Sequence, residues 1–209
     1  MERPKNILKV TAVLITAICI AVVVIGYRNN LKANDMDKPR INTESDNYPK
    51  ATFAAGCFWH VEHTFGKLPG VVSAVSGYTG GEKSNPSYHE VCTGRTGHAE
   101  AVEVTFEPEL ISYEKLLDTF FGIHDPTTLN RQGPDVGTQY RSEIFYHSEA
   151  QKHLAEKMKQ DLGNSGKFKA GIVTQITSSS QFYKAESYHQ KYFEKRGVHS
   201  CGFGLKEQE

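Results

Sequence analysis

Cys57 stands between a glycine and an aromatic pair in Ala55-Gly56-Cys57-Phe58-Trp59-His60-Val61-Glu62, the surroundings of a thiol able to react. Lys50 to Ala54 has the composition of a short strand. After Cys57 the apolar residues Phe58, Val61, Phe65 and Leu68 recur at helical spacing. Cys57 is therefore expected at a helix N-terminus, where unpaired backbone N–H groups and the positive end of the helix dipole favour a thiolate. Gly56 permits the sharp turn that leads into such a helix. The local pattern also fits a cysteine that is only a small buried hydrophobe.

The second chemical group is Glu100. If His98 to Phe106 is a strand, Glu100 shares a face with Val102, Val104 and Phe106, whereas Glu103 and Glu107 lie on the other. A carboxyl group on an apolar face without a cation has a raised pKa and can serve as a proton donor near neutral pH. A strand beginning at Ala101 instead leaves Glu100 merely exposed. Tyr88 and Tyr140 are candidate hydrogen-bond donors to an oxygen that becomes more basic during reaction, although tyrosines commonly serve as packing residues. Asp135 lies in the turn-rich Gly133-Pro134-Asp135-Val136-Gly137, where an ordinary Asx turn is the alternative.

Several elements are needed to position these groups. Val71 to Tyr78 and His98 to Phe106 have strand character and are separated by a loop rich in glycine and proline. Ser112 can cap a helix carrying Leu116, Leu117, Phe120 and Phe121 and ending at Gly122. Ser148 and Gln151 form a capping-box pattern ahead of Ala150, Leu154, Met158 and Leu162. Ser142 to His147 and Gly171 to Ile176 supply two further strands. The sum is an α+β domain with a mixed β-sheet core flanked by helices.

The 209 residues carry a formal net charge of +0, enough chain for one domain and an appendage, with no basic footprint for nucleic acid. Cys19, Cys57, Cys92 and Cys201 lack the paired spacing of a zinc site or a redox dithiol motif. Arg3, Lys5 and Lys9 precede an apolar run from Val10 to Gly26, near the lower limit of the roughly 17 to 25 residues that span a bilayer. No small-x-small cleavage pattern follows it, so residues 1–28 are expected to be an uncleaved membrane-spanning signal anchor, with the catalytic domain on the extracytoplasmic side. Residues 29–48 are a polar tether, 49–196 the catalytic domain, and 197–209 a glycine-flanked C-terminal tail.

Four ordered blocks resemble the A-type peptide-methionine (S)-S-oxide reductases: Gly56-Cys57-Phe58-Trp59; Gly77-Tyr78-Thr79-Gly80-Gly81; Ser87 to Gly94 followed by Thr96-Gly97-His98-Ala99-Glu100; and Asp135 to Ser142. The resemblance runs from about Pro49 to Lys195. It implies a ferredoxin-like two-layer sandwich and assigns Cys57 as the nucleophile that attacks the sulfoxide sulfur. Glu100 would then protonate the oxygen, with Tyr88 and Tyr140 as hydrogen-bond donors, while Asp135 orders the polar side of the pocket. Phe58 and Trp59 would receive the substrate methyl group. Cys201 would resolve the Cys57 sulfenic acid as a disulfide, Cys92 would be structural, and His60 stands where this motif often has glycine.

The implied protein is a monomer without metal or organic cofactor. It would act on oxidised proteins or free methionine sulfoxide and be recycled by a thioredoxin-like dithiol reductant. Two other readings stay open. A thiol peroxidase would share the reactive and resolving cysteines but calls for a positive charge near the thiolate, and no Arg or Lys adjoins Cys57. A non-catalytic module that holds methionine-rich partners would have no use for Glu100.

Overall fold

The structure, a computed structural model, describes residues 48–197. The apolar run Val10 to Gly26, nearly all of the tether and the tail with Cys201 lie outside the described residues, and among those described no helix is long and apolar enough to cross a membrane.

The strands are β1 (Lys50–Ala55), β2 (Val71–Thr79), β3 (Ala99–Phe106), β4 (Arg131–Gln132), β5 (Asp135–Val136), β6 (Ser142–Tyr146), β7 (Gln175–Ser178) and β8 (Tyr183–Lys184). The helices are α1 (Phe58–Gly66), α2 (Tyr88–Cys92), α3 (Tyr113–Gly122), α4 (Glu149–Asn164) and α5 (Tyr192–Lys195), with a 3-10 turn at Thr138–Tyr140. Six strands form one sheet in the order β7-β6-β1-β3-β2-β8, and β4 pairs with β5 as a separate small hairpin. Pairing is antiparallel except between β6 and β7, so the sheet is mixed, as expected.

Alternation along the strands divides the sheet into two faces. Ala51, Phe53 and Ala55 of β1, Val102 and Val104 of β3 and Ile144 of β6 join one apolar cluster with Val61 and Phe65 of α1 and Leu116, Leu117 and Phe120 of α3. Phe53 sits at its centre, its ring stacked 5.0 Å from Phe65 and 5.4 Å from Phe120. Such offset aromatic contacts add to the burial of large apolar surfaces. The other face carries the smaller cluster Ala54, Ala99, Ala101 and Phe145.

The caps mostly follow the sequence. Ser112 Oγ accepts from the Lys115 N–H at 3.2 Å at the start of α3. Ser148 Oγ accepts from the Gln151 N–H at 3.3 Å, but the expected reciprocal box does not close. The Gln151 side chain accepts from the His147 N–H at 2.9 Å and donates to the Lys50 carbonyl at 2.7 Å, tying α4 to β1 rather than to its own cap. At α2 a back-reaching arm does form, for Glu90 accepts from both the N–H and the hydroxyl of Ser87 at 2.9 Å.

The last expected strand is displaced. Gly171 to Thr174 is irregular, held by the Val173 N–H on the Pro126 carbonyl (2.8 Å) and by Thr174 Oγ1 on Ser142 Oγ (2.8 Å). Ladder pairing starts only at Gln175, opposite Glu143. The apolar pattern marked what is buried, whereas register set where the strand begins.

The glycine-rich turn after β2 is an instrument of close packing. A Cβ on Gly81 would collide with the Thr96 carbonyl and the His98 backbone nitrogen. His98, itself buried, accepts from the Gly81 N–H at 3.1 Å and donates to the Lys83 carbonyl at 2.7 Å. That clasp brings the turn against the start of β3 and so fixes where Glu100 emerges.

Candidate active site

β1 delivers Cys57 to the start of α1. Gly56 turns the chain at φ +88, a conformation that L side chains rarely adopt, and Cys57 is the N-cap residue in extended geometry. The backbone N–H groups of Trp59 and His60 point at the Cys57 sulfur and favour the thiolate. The expectation of a depressed pKa is nonetheless corrected. Burial, reinforced by Glu100 and Asp135 once their carboxyls are ionised, outweighs those donors and pushes the thiol up to about 12. At rest Cys57 is a protonated thiol.

Glu100 is the second residue of β3 and only 2 % exposed, which removes the alternative of a strand beginning at Ala101. Burial pushes its carboxyl up to about 8, against the opposing pull of the Phe58 N–H, which donates to Oε2 at 3.1 Å. Among the described residues no cation offsets that burial, so Glu100 holds its proton at neutral pH. The same helix N-terminus thus presents donors to the thiol and to the carboxyl.

Two phenols lie within the field of Glu100. Tyr88 begins α2 and Tyr140 ends the 3-10 turn. Burial chiefly raises both pKa values and the field of Glu100 adds to it, so both hydroxyls keep their protons and can donate. Cys92 lies one turn further along α2, close enough to add to the rise of the Tyr88 pKa. Asp135 sits on the hairpin strand β5, partly buried, its pKa raised by that burial, and its charge is felt by Cys57, Glu100 and Tyr140.

A cavity of about 340 Å³ opens beside Cys57, walled mainly by Trp59, Ile123, Pro134 and Phe193, with His60 and Asp135 as polar contributions. Larger clefts elsewhere flank the glycine-rich turn and lack the thiol. Trp59 lines the cavity, but Phe58 does not. Its ring is 1 % exposed and packs behind the site, 5.8 Å from Tyr78 and 5.0 Å from His189. Helical geometry separates the two adjacent side chains by about 100°, so they cannot both face one cavity. His60 lies on the cavity wall with its pKa lowered by burial, so the ring is neutral at neutral pH.

Cys57, Glu100, Tyr88, Tyr140, Asp135 and Trp59 are therefore brought together, and Cys201 lies outside the described residues. The sequence reading passed over Glu186, His189 and Tyr192. Glu186 accepts from the Tyr88 N–H at 2.9 Å and from the Tyr78 hydroxyl at 2.8 Å, placing α2 against β2. Tyr192 stacks on Trp59 with centroids 3.7 Å apart, and His189 accepts from its indole N–H at 3.0 Å. The aromatic spacing Tyr188, His189, Tyr192, Phe193 was the available signal.

A thiol under backbone donors, with a protonated carboxyl and two phenols beside it, defines a thiol oxidoreductase that handles a basic oxygen atom. The chain belongs to the peptide methionine sulfoxide reductase family, whose description matches residues 49–209, a span that continues past Lys195 into the tail. It is 58% identical over 154 residues to peptide methionine sulfoxide reductase MsrA of Methanothermobacter thermautotrophicus, covering 74% of this chain and 91% of that protein. Mxr1 from Saccharomyces cerevisiae in reduced form superposes with a TM-score of 0.68 at 41% identity, covering 73% of this chain and 88% of that one. Mxr1 in complex with Trx2 superposes with a TM-score of 0.51 at 28% identity over 75% and 91% of the two chains.

Proposed function

We propose that this protein reduces the S epimer of methionine sulfoxide to methionine, using Cys57 as nucleophile and Glu100 as general acid. The observation that carries the assignment is a carboxyl group 2 % exposed, protonated at neutral pH and placed against the residue that follows the thiol. A sulfoxide sulfur is a poor electrophile until its oxygen receives a proton or strong donors. Glu100 supplies the proton, and the phenols of Tyr88 and Tyr140 donate to the same oxygen. As Glu100 passes its proton to the oxygen, its carboxylate takes up the Cys57 thiol proton, and the sulfur attacks under the N–H groups of Trp59 and His60.

The sulfoxide oxygen ends on Cys57. Thiol and sulfoxide become sulfenic acid and thioether, with methionine as the leaving product. The Cys201 thiol then condenses with the sulfenic acid, releasing water and forming a Cys57–Cys201 disulfide. A thioredoxin-like dithiol returns both thiols, a partner supported by the complex of Mxr1 with Trx2. The substrate methyl group rests on Trp59, with Phe58 as backing, and Asp135 orders the polar wall.

The order β1-α1-β2-β3-α3-β6, with those four strands paired β6-β1-β3-β2, supports a ferredoxin-like description of the domain. The run Val10 to Gly26 anchors the protein in a membrane with the catalytic domain outside the cytoplasm.

Purified protein with a dithiol reductant is expected to consume the S sulfoxide and not the R, and Cys57→Ser to be inert. Turnover of the R epimer alone sinks the assignment, and peroxide-driven thiol oxidation without sulfoxide turnover favours a thiol peroxidase. Cys201→Ser is expected to release one equivalent of methionine and then stall. Carbonate extraction and protease protection of native membranes test the anchor and its orientation.

A further inference from the structure

We infer that His189 is a positioning residue that locks the Trp59 indole in the one orientation from which the site tells the two sulfoxide epimers apart. The inference rests on the function proposed above. His189 is 1 % exposed, and its Nδ1 accepts from the Trp59 indole N–H at 3.0 Å. An accepting Nδ1 places the ring proton on Nε2, and among the described residues the buried Nε2 has no partner. Leaving a buried N–H unpaired is unfavourable. An apolar side chain would fill the same space without that cost, so packing alone does not account for a histidine here. The acceptor at Nδ1 does.

The segment carrying His189 is pinned on both sides. The His189 N–H bonds to the Glu186 carbonyl at 2.9 Å, and the Glu186 carboxylate grips the start of α2 and Tyr78. Gln190 donates to the Ser76 carbonyl at 2.9 Å, and the Lys191 N–H bonds to buried Glu62 at 2.8 Å. Tyr192 then covers one face of the indole, its ring plane within 3° of parallel. With the N–H edge held by His189 and one face by Tyr192, the tryptophan cannot rotate, and the part of it that walls the cavity beside Cys57 is fixed.

That rigidity matters because a sulfoxide sulfur is a pyramidal stereocentre carrying oxygen, methyl and the side-chain methylene. Fixing the oxygen at Glu100 and the methyl group at Trp59 leaves one direction for the rest of the substrate. The other epimer must exchange the methyl group with the methylene and drive its chain into the indole. A loose Trp59 lets that happen.

The protein has a single tryptophan, so the full chain gives one indole N–H resonance. In the wild type, 15N spectra are expected to show His189 with Nδ1 unprotonated and scalar coupling across the bond to the indole nitrogen; a proton on Nδ1 overturns the proposal without any variant having to fold. His189→Phe keeps a ring but removes the acceptor. It should raise KM for the S sulfoxide about tenfold with kcat within about threefold, and cut the preference for S over R by about tenfold. His189→Asn retains an acceptor near Nδ1 and should restore both the indole resonance and the preference. An unchanged epimer preference in His189→Phe, or equal losses in the two variants, defeats the proposal. Wild-type protein that reduces neither epimer defeats the functional assignment instead and leaves the resonance test standing.

Discussion

Glu100 and Glu143 are buried to nearly the same degree, 2 % and 3 %, on opposite faces of one sheet. Glu143 lies on the face away from α1 and α3 and has a cation, Arg141 Nε at 2.6 Å, with the Thr177 hydroxyl donating to its other oxygen at 2.8 Å. Glu103 shares that face and pairs with Lys50 at 2.8 Å. Glu100, on the helix-covered face, has one backbone N–H and, among the described residues, no cation. Burial is thus common to both carboxyls and chemistry is not. A compensated carboxylate is a structural tie, and an uncompensated carboxyl keeps a proton that it can deliver.

Exchanging the two roles by substitution breaks the comparison most sharply. Glu100→Gln is expected to lower the rate of a single sulfoxide turnover by about 10²- to 10⁴-fold with little change in fold. Glu143→Gln should leave that rate within about threefold while costing about 3 kcal/mol of unfolding free energy, because Arg141 loses its buried partner. Stopped-flow turnover beside urea titrations separates the two, and an equal rate loss in both variants removes the distinction. Tyr88→Phe or Tyr140→Phe should each slow the same step by up to about 10²-fold, since each removes one donor to the developing charge.

Protonation sharpens the contrast further. Turnover should fall as pH rises through about 8, where Glu100 loses its proton, and the Glu100→Gln variant should lack that limb. The same shift enters stability. The folded-state pKa lies above the ordinary value of 4.5, so the contribution is fully present below 4.5 and is lost as pH rises through about 8. Unfolding titrations at the two extremes should show a decline in the wild type that the variant does not share. His124 has the opposite sign. Burial holds its pKa down to about 4, so the folded state is favoured above 6.5 and loses that advantage as pH falls towards 4. The smallest effect belongs to the exposed Lys50–Glu103 pair, where Lys50→Ala should change stability by less than about 1 kcal/mol and leave turnover untouched.

Much of this frame is legible in the chain because its causes are local. Period-two alternation places Glu100 on the side of Val102 and Val104, helical spacing starts α1 beside Cys57, and Ser112 caps α3 with its own hydroxyl. Where a partner distant in sequence intervenes, the local signal fails. Gln151 abandons its expected box for the Lys50 carbonyl, and β7 begins where Glu143 offers a ladder rather than where the apolar run starts.

The site divides along the same line. Residue types and their order within four short blocks single out the candidate thiol, acid and phenols, because a reaction demands particular functional groups and these are written in the chain. The state of those groups was decided only by tertiary structure. A helix N-terminus by itself predicts a thiolate at Cys57, yet burial above all keeps the thiol protonated, and the carboxyl groups carried in by β3 and β5 add to it whenever they are ionised. The hold on Trp59 comes from His189, 130 residues further along the chain. Solvent exclusion and electric fields sum over everything folded around a group, and sequence neighbours supply only a small part of that sum.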